Sequence, residues 1–146
     1  MYDRILLPVA GDEAEGAVPT ERAADLASTY GAEVLVLSVV DTAFGLLGSR
    51  GPEAPARERE AECTADAFAD RVNRLLQGSG AQARSMVGHG SPHRAILEAA
   101  DTYDCDLVVM ATHGRTGLEH GLLGSVTERV LRLSDVPVLA VPRGES

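Results

Sequence analysis

Leu107-Val108-Val109-Met110-Ala111-Thr112-His113-Gly114-Arg115-Thr116-Gly117 decides the fold, read together with Gly121-Leu122-Leu123-Gly124-Ser125-Val126-Thr127-Glu128 a few residues on. A short Val-rich apolar run bounded by turn residues reads as a buried strand. The glycines after it read as a loop. Ser125-Val126-Thr127-Glu128, Ser first and Glu three residues later, reads as a capping box opening a helix. Glycines let backbone N–H groups approach an anion closely, and a helix N-terminus adds unpaired donors and a dipole that favours a negative charge by about 0.3–1 kcal/mol.

The same unit recurs along the chain. Ile5 to Val9, Val34 to Val40 and Val136 to Val141 are further apolar runs, and Arg84 to Val87 is a weaker one. Helical patterns lie between them. Glu21 to Tyr30 stops at Gly31, and Pro92 to Tyr103 opens with proline in its first turn. Ala56 to Leu76 is long and amphipathic, with Ala65, Phe68, Ala69, Val72, Leu75 and Leu76 on one side. The order β-α-β-α-β-α-β-α-β predicts an α/β fold: one five-stranded parallel sheet with helices on both faces and right-handed connections. Asp41 to Pro55, with three glycines and two prolines, is the one long irregular piece and is expected to be mobile.

Composition removes several functions. At 146 residues the chain is expected to form one domain, spanning 1–146. Its 13 basic residues are all Arg against 22 acidic ones, for a net charge of −9. Without Lys there is no Walker-type phosphate loop and no Schiff-base chemistry, and without a dense cationic face no nucleic-acid partner is expected. An acidic surface of this kind suits concentrated salt, where screening is strong. No apolar run approaches the roughly 20 residues of a membrane span. Met1-Tyr2-Asp3-Arg4 does not read as a signal peptide, so a soluble, cytoplasmic protein with no membrane partner is expected. Cys63 and Cys105 form no C-x-x-C pair and read as small buried hydrophobes. His89 and His93 are four apart, but Gly90-Ser91-Pro92 between them breaks the helical spacing, so no metal site is assigned. No G-x-S-x-G elbow is present and no Ser/His/Asp set can be assembled, so no catalytic residue is assigned either.

In open α/β sheets a ligand binds beyond the carboxyl ends of the strands, where strand order reverses. Val9 to Glu15, Val39 to Asp41 and Ala111 to Ser125 meet that description. With no Lys, the glycine-rich backbone before Ser125 is the natural holder of a phosphate. Asp12, Glu13 and Glu15 cluster where a carboxylate could hold an accompanying Mg²⁺.

The sequence resembles the universal stress protein family over nearly its whole length. The residues that carry the resemblance are Arg4-Ile5-Leu6-Leu7-Pro8, Val39-Val40-Asp41, Gly90-Ser91-Pro92, Met110 to Leu118, Leu123 to Val130 and Asp135-Val136-Pro137-Val138-Leu139. The resemblance implies a Rossmann-like fold of the adenine nucleotide alpha hydrolase type. It also implies a homodimer paired through the last strand, here Val136 to Val141, and an ATP-binding motif G-x2-G-x9-G-[ST]. On that motif Gly114 is the second glycine, Arg115 to Leu123 are the nine spacers, and Gly124-Ser125 is the ending. Ala111 stands where the first glycine belongs. If it had to adopt a glycine-like conformation the cost would be about 1–3 kcal/mol. A second departure follows the first strand, where relatives typically carry Pro-Thr-Asp and this chain has Pro8-Val9-Ala10-Gly11-Asp12. Either Ala10 replaces the Asp or Asp12 takes its place.

Carried over residue by residue, the resemblance places Val9, Val39 and Met110 along an adenine pocket and Asp12 at the ribose or cation. His113 would shape the loop, Arg115 would reach the phosphate tail, and Gly124, Ser125, Val126 and Thr127 would donate to phosphates. Each also has a plainer role: core packing for the apolar residues, a solvated loop for Arg115, capping for Ser125 and a helix's first turn for Val126 and Thr127. The expected protein is an ATP-binding homodimeric stress-response module, with Mg²⁺ accompanying the nucleotide and an unidentified protein partner. The rival readings are a dimeric interaction protein of the same family without nucleotide, and a slow ATP hydrolase.

Overall fold

The computed structural model describes residues 2–9, 13–40, 54–112 and 124–142, with the backbone alone at 13–17, 54 and 57. Its elements are β1 (Arg4–Val9), α1 (Glu13–Tyr30), β2 (Glu33–Val40), α2 (Ala54–Gly78), β3 (Gln82–His89), α3 (Pro92–Thr102), β4 (Leu107–Ala111), α4 (Ser125–Leu133) and β5 (Val138–Val141). The strands form one parallel sheet in the order β3-β2-β1-β4-β5. The chain therefore winds outward from β1 to β3, then returns to the other side of β1 for β4 and β5. The strand order reverses between β1 and β4.

The apolar runs lack alternation because both faces of the central strands are covered. Ile5, Leu7, Val9, Val34, Val36, Leu107 and Val109 pack with Ala23 and Ala27 of α1 and with Phe68, Ala69, Val72 and Leu76 of α2. On the opposite face Leu6, Leu35, Leu37, Val108 and Met110 pack with Ile96, Ala99 and Ala100 of α3 and Val130 of α4. Each fully buried Val or Leu side chain contributes roughly 1.5–3 kcal/mol relative to leaving it in water.

Three helices end at the amino end of the strands in one motif. The N–H of Ala32, Ala81 and Cys105 donate to the carbonyls of Ala27, Leu76 and Ala100, five residues earlier in each case. This ending requires a left-handed residue just before the donor. Gly31 (φ 68°) and Gly80 (φ 95°) supply it without strain, while Asp104 (φ 53°) supplies it as the one non-glycine of positive φ among the described residues.

Several expected boundaries shift. The first helix begins at Glu13 rather than Glu21, because Pro19 is accommodated inside it and fully buried. The second begins at Ala54 with Pro55 in its first turn, a position where the missing N–H has no helical partner to lose. Thus Pro55 belongs to α2 rather than to the irregular stretch; residues 41–53 of that stretch, and its expected mobility, lie outside the described residues. Leu75, expected on the buried side of α2, is 61% exposed. Cys105 is buried as expected, but Cys63 is exposed, since it lies in the part of α2 that precedes the first buried residue, Ala65. The last strand is Val138–Val141, shorter than Val136 to Val141.

Candidate functional site

Pro8 opens the sheet where its order reverses. On the β2 side the carbonyl of Asp3 accepts from the Glu33 N–H at 3.0 Å, and on the β4 side the carbonyl of Arg4 accepts from the Asp106 N–H at 2.9 Å. Successive residues of a strand face alternate neighbours, so Leu6 and Pro8 face β4, and Pro8 has no N–H to give. The β1–β4 ladder accordingly covers only Ile5↔Leu107 and Leu6↔Val108. The β1–β2 ladder, by contrast, runs from Arg4↔Glu33 to Val9↔Ser38. Val9 and Ala111 thus end their strands beyond the β1–β4 ladder, on either side of the reversal. In the sequence Pro8 reads as part of an apolar run and of the family resemblance; that its missing N–H falls on the β4 side depends on the strand order.

Ala111 closes β4 in register with Val141. Its backbone is that of a strand residue and has no positive φ, so the alanine stands there without the strain a glycine-like conformation would impose. The next residue is held at both ends: the Thr112 N–H donates to Val141 O at 2.9 Å, and the Thr112 carbonyl accepts from the Gly124 N–H at 2.8 Å.

Helix α4 starts from this anchor. Its N-cap is Gly124, in an extended conformation and with no side-chain capping bond, so Ser125 is the first helical residue rather than the cap. The expected capping box is therefore not formed. The reason is the Gly124–Thr112 bond, which draws the cap position one residue earlier. Glu128 is directed to Arg132 instead, with 3.4 Å between carboxylate and guanidinium. The first bond within the helix is from Glu128 N–H to Gly124 O at 2.9 Å, so the amides of Ser125, Val126 and Thr127 have no partner within the helix. Thr127 is buried, and its hydroxyl donates to Ala111 O at 2.8 Å. A hydroxyl has one proton to donate, so this one is not available to a phosphate.

The expected apolar lining is divided. Val9 packs on the α1–α2 side of the sheet, whereas Met110 and Val39 pack on the α3–α4 side. They share the carboxyl edge of the sheet but not one face. Met110 is a buried core residue, and Val39 is half-buried. Asp12, His113, Gly114 and Arg115 lie outside the described residues. His89 and His93 do not converge: His89 Nε2 lies 3.2 Å from Glu62 Oε1, while His93 Nδ1 lies 3.1 Å from Ser91 Oγ. Among the described residues no group of three His, Cys, Asp or Glu is placed to hold a metal ion. None of the described helices is long and apolar enough to cross a membrane.

An open cleft of about 280 Å³ lies at the other end of the sheet, between the carboxyl ends of α3 and α4. Leu97, Ala100, Cys105 and Val136 line it with the carboxylates of Asp101, Asp104 and Asp135. That charge opposes a phosphate. Near it, burial pushes the Cys105 thiol from 9.0 up to about 11; the Arg4 guanidinium pulls the other way and the Asp106 carboxylate adds to the rise.

A doubly wound parallel sheet opened at its reversal point, with a helix N-terminus set beside the opening, defines the Rossmann-like class of α/β folds, in which ligands bind at the reversal. The universal stress protein family profile matches residues 1–142, and the chain belongs to that family. Universal stress protein MJ0531 of Methanocaldococcus jannaschii is 33% identical over 98% of this chain and 84% of its own length. The solved structure of MJ0577, from the same archaeon, superposes with a TM-score of 0.85 over 100% of this chain and 99% of that one, at 28% identity. A universal stress protein solved in complex with cAMP has a TM-score of 0.70 at 24% identity, covering 98% of each chain.

Proposed function

We propose that this universal stress protein is an ATP-responsive, homodimeric binding module rather than a metabolic enzyme. The observation that carries the reading is the start of α4. Three consecutive amides, those of Ser125, Val126 and Thr127, lack helical partners beside the strand reversal, where the helix dipole favours an anion. Ser125 and Val126 would meet the phosphates through their backbone amides, Gly124, whose own N–H is given to Thr112 O, would let them approach closely, and Asp12, His113, Gly114 and Arg115 would complete the site. Val9 and Val39 would flank the base from their strand ends. Mg²⁺ would accompany the nucleotide, with Asp12 as its nearest candidate carboxylate. A universal stress protein of the same fold takes cAMP, which supports an adenine nucleotide as the ligand class.

Two features support a dimer through β5. It is an edge strand, and Leu131, Leu133 and Leu139 are exposed near it. Pairing with a second copy would cover an edge that otherwise offers its backbone to any extended chain. Light scattering should then find a dimer that Leu139→Asp converts to monomer.

The deciding experiment is calorimetric titration with Mg-ATP at low and at molar salt, with AMP as control. Micromolar binding of ATP is the expected result. Absence of heat up to millimolar ATP, from folded protein, would overturn the nucleotide reading and leave the dimeric interaction protein in its place.

A further inference from the structure

We propose that Thr127 is a positioning residue: its buried hydroxyl latches the first turn of α4 to the end of β4 and thereby aims the Ser125 and Val126 amides at the phosphates. The proposal rests on the nucleotide-binding reading given above and goes beyond it by naming what holds the anion site in place.

The latch is built from two bonds on consecutive residues. Thr127 Oγ1 donates to Ala111 O at 2.8 Å, and the Gly124 N–H donates to Thr112 O at 2.8 Å. The donors are three residues apart, hence on one turn of the helix, and the acceptors are neighbouring carbonyls at the strand's end. One such bond would act as a pivot; two fix the direction in which the helix leaves the sheet. Thr112 is in turn tied to β5 through its N–H and Val141 O, so α4, β4 and β5 meet at one dipeptide.

Thr127 departs from the usual habit of its residue type. A threonine inside a helix commonly returns its hydroxyl to the carbonyl four residues earlier. This one reaches sixteen residues back, to a different element, and is 3% exposed. A buried hydroxyl bonded across elements carries geometric information that an apolar residue of the same shape would not. It also leaves Thr127 no hydroxyl proton to give a phosphate.

Thr127→Val keeps the branched shape and deletes the hydroxyl; Thr127→Ser keeps the hydroxyl. The measurements are affinity for Mg-ATP and for adenosine by calorimetry, and hydrogen exchange at the bonded amides of Gly124 and Glu128. Thr127→Val should bind ATP about tenfold more weakly, equivalent to about 1.4 kcal/mol, with adenosine affinity changed less than about twofold. Exchange at Gly124 and Glu128 should accelerate, and Thr127→Ser should restore both readouts. Equal loss of ATP and adenosine would reduce Thr127 to a structural residue, and unchanged ATP affinity would overturn the latch outright. If the wild type binds no ATP, the nucleotide reading fails by itself. The latch is then judged by exchange, and unchanged exchange in Thr127→Val refutes it. Should the valine variant not fold, Thr127→Ala repeats the deletion with a smaller side chain.

Discussion

The two ends of the sheet are built on opposite rules. At the amino end a set of polar contacts ties the strands to one another and to the end of α3. Asp106 accepts from the backbone N–H of Asp3 and Arg4 at 2.8 and 3.2 Å, and Arg4 donates to Glu33 and to the Tyr103 carbonyl. Arg84 lies over the Tyr103 ring and 3.7 Å from Glu33. Three helices finish there in closed six-residue turns. At the carboxyl end the β1–β4 ladder stops early, at Leu6↔Val108, and the first turn of α4 keeps three amides free of helical partners. Unsatisfied backbone donors are tolerated where water or a ligand meets them, and a stable fold concentrates them where function needs them. One end of this protein closes on itself, and the other carries the proposed binding site.

If that division is right, a substitution at the carboxyl end can lower binding without lowering stability. The sharpest case is Ser125→Asp. Ser125 is exposed and opens α4, where a carboxylate complements the helix dipole by about 0.3–1 kcal/mol. The same carboxylate would face the phosphates, and two like charges about 4 Å apart repel by about 4 kcal/mol at an effective dielectric near 20. ATP affinity should fall at least about a hundredfold while the urea midpoint holds or rises. Parallel loss of both would mean that the open end also carries stability.

At the closed end the expected effects are on stability alone. Burial holds the Cys105 thiol at about 11 against 9.0 in the unfolded chain. Between those values the unfolded state has released its proton and the folded state has not. The folded state binds more protons, so stability falls as pH rises through that window. The loss should reach on the order of 2 kcal/mol near pH 11. Cys105→Ala should start from lower stability because of the cavity, yet lose less between pH 8 and 10.5. Urea titrations of the two proteins at both pH values measure the difference, and parallel slopes would refute it. A smaller effect of opposite sign is expected at Asp104, whose left-handed backbone is one that glycine adopts freely. Asp104→Gly should raise stability by about 0.5–1 kcal/mol and leave ATP affinity unchanged.

How much of this could be read from the sequence follows the same division. All five strands were legible, and the burial of the central three was legible because apolar runs such as Ile5 to Val9 and Leu107 to Ala111 are explained by two-sided covering alone; the edge strands β3 and β5 are only partly covered. Gly31 was legible as a helix end for a local reason, its left-handed backbone. The extent of α1 was not, because Pro19 reads as a boundary and only tertiary packing shows that it is buried inside the helix. At the site, the helix start after the glycine-rich stretch was legible, but the cap was misplaced by one residue. The bond that moves it, Gly124 N–H to Thr112 O, joins residues twelve apart and leaves no mark in a local pattern. The engagement of Thr127 with Ala111 was hidden for the same reason: capping and phosphate contact both look for a hydroxyl in a first turn, and neither specifies where it points.

Ala111 gives the finest test of the contrast, because the sequence marks it as a departure from the family motif and the structure removes one of the two costs that departure could carry. The family motif carries glycine here, and glycine is indispensable only if the backbone is left-handed or if a ligand touches the α-carbon. The first condition fails, since Ala111 is a paired strand residue opposite Val141. Restoring the motif with Ala111→Gly therefore frees the unfolded chain without relieving any strain, and stability should drop by about 0.5–1 kcal/mol. The second condition is left to binding. If the methyl group stays clear of the nucleotide, calorimetry should find ATP affinity within about threefold of wild type, less than 1.4 kcal/mol. A tenfold or larger gain would instead place the phosphate chain against this α-carbon. The opening beside β4 would then be narrower than the one left by Pro8, and the site would be set by the close approach of backbone to ligand rather than by the amides of α4.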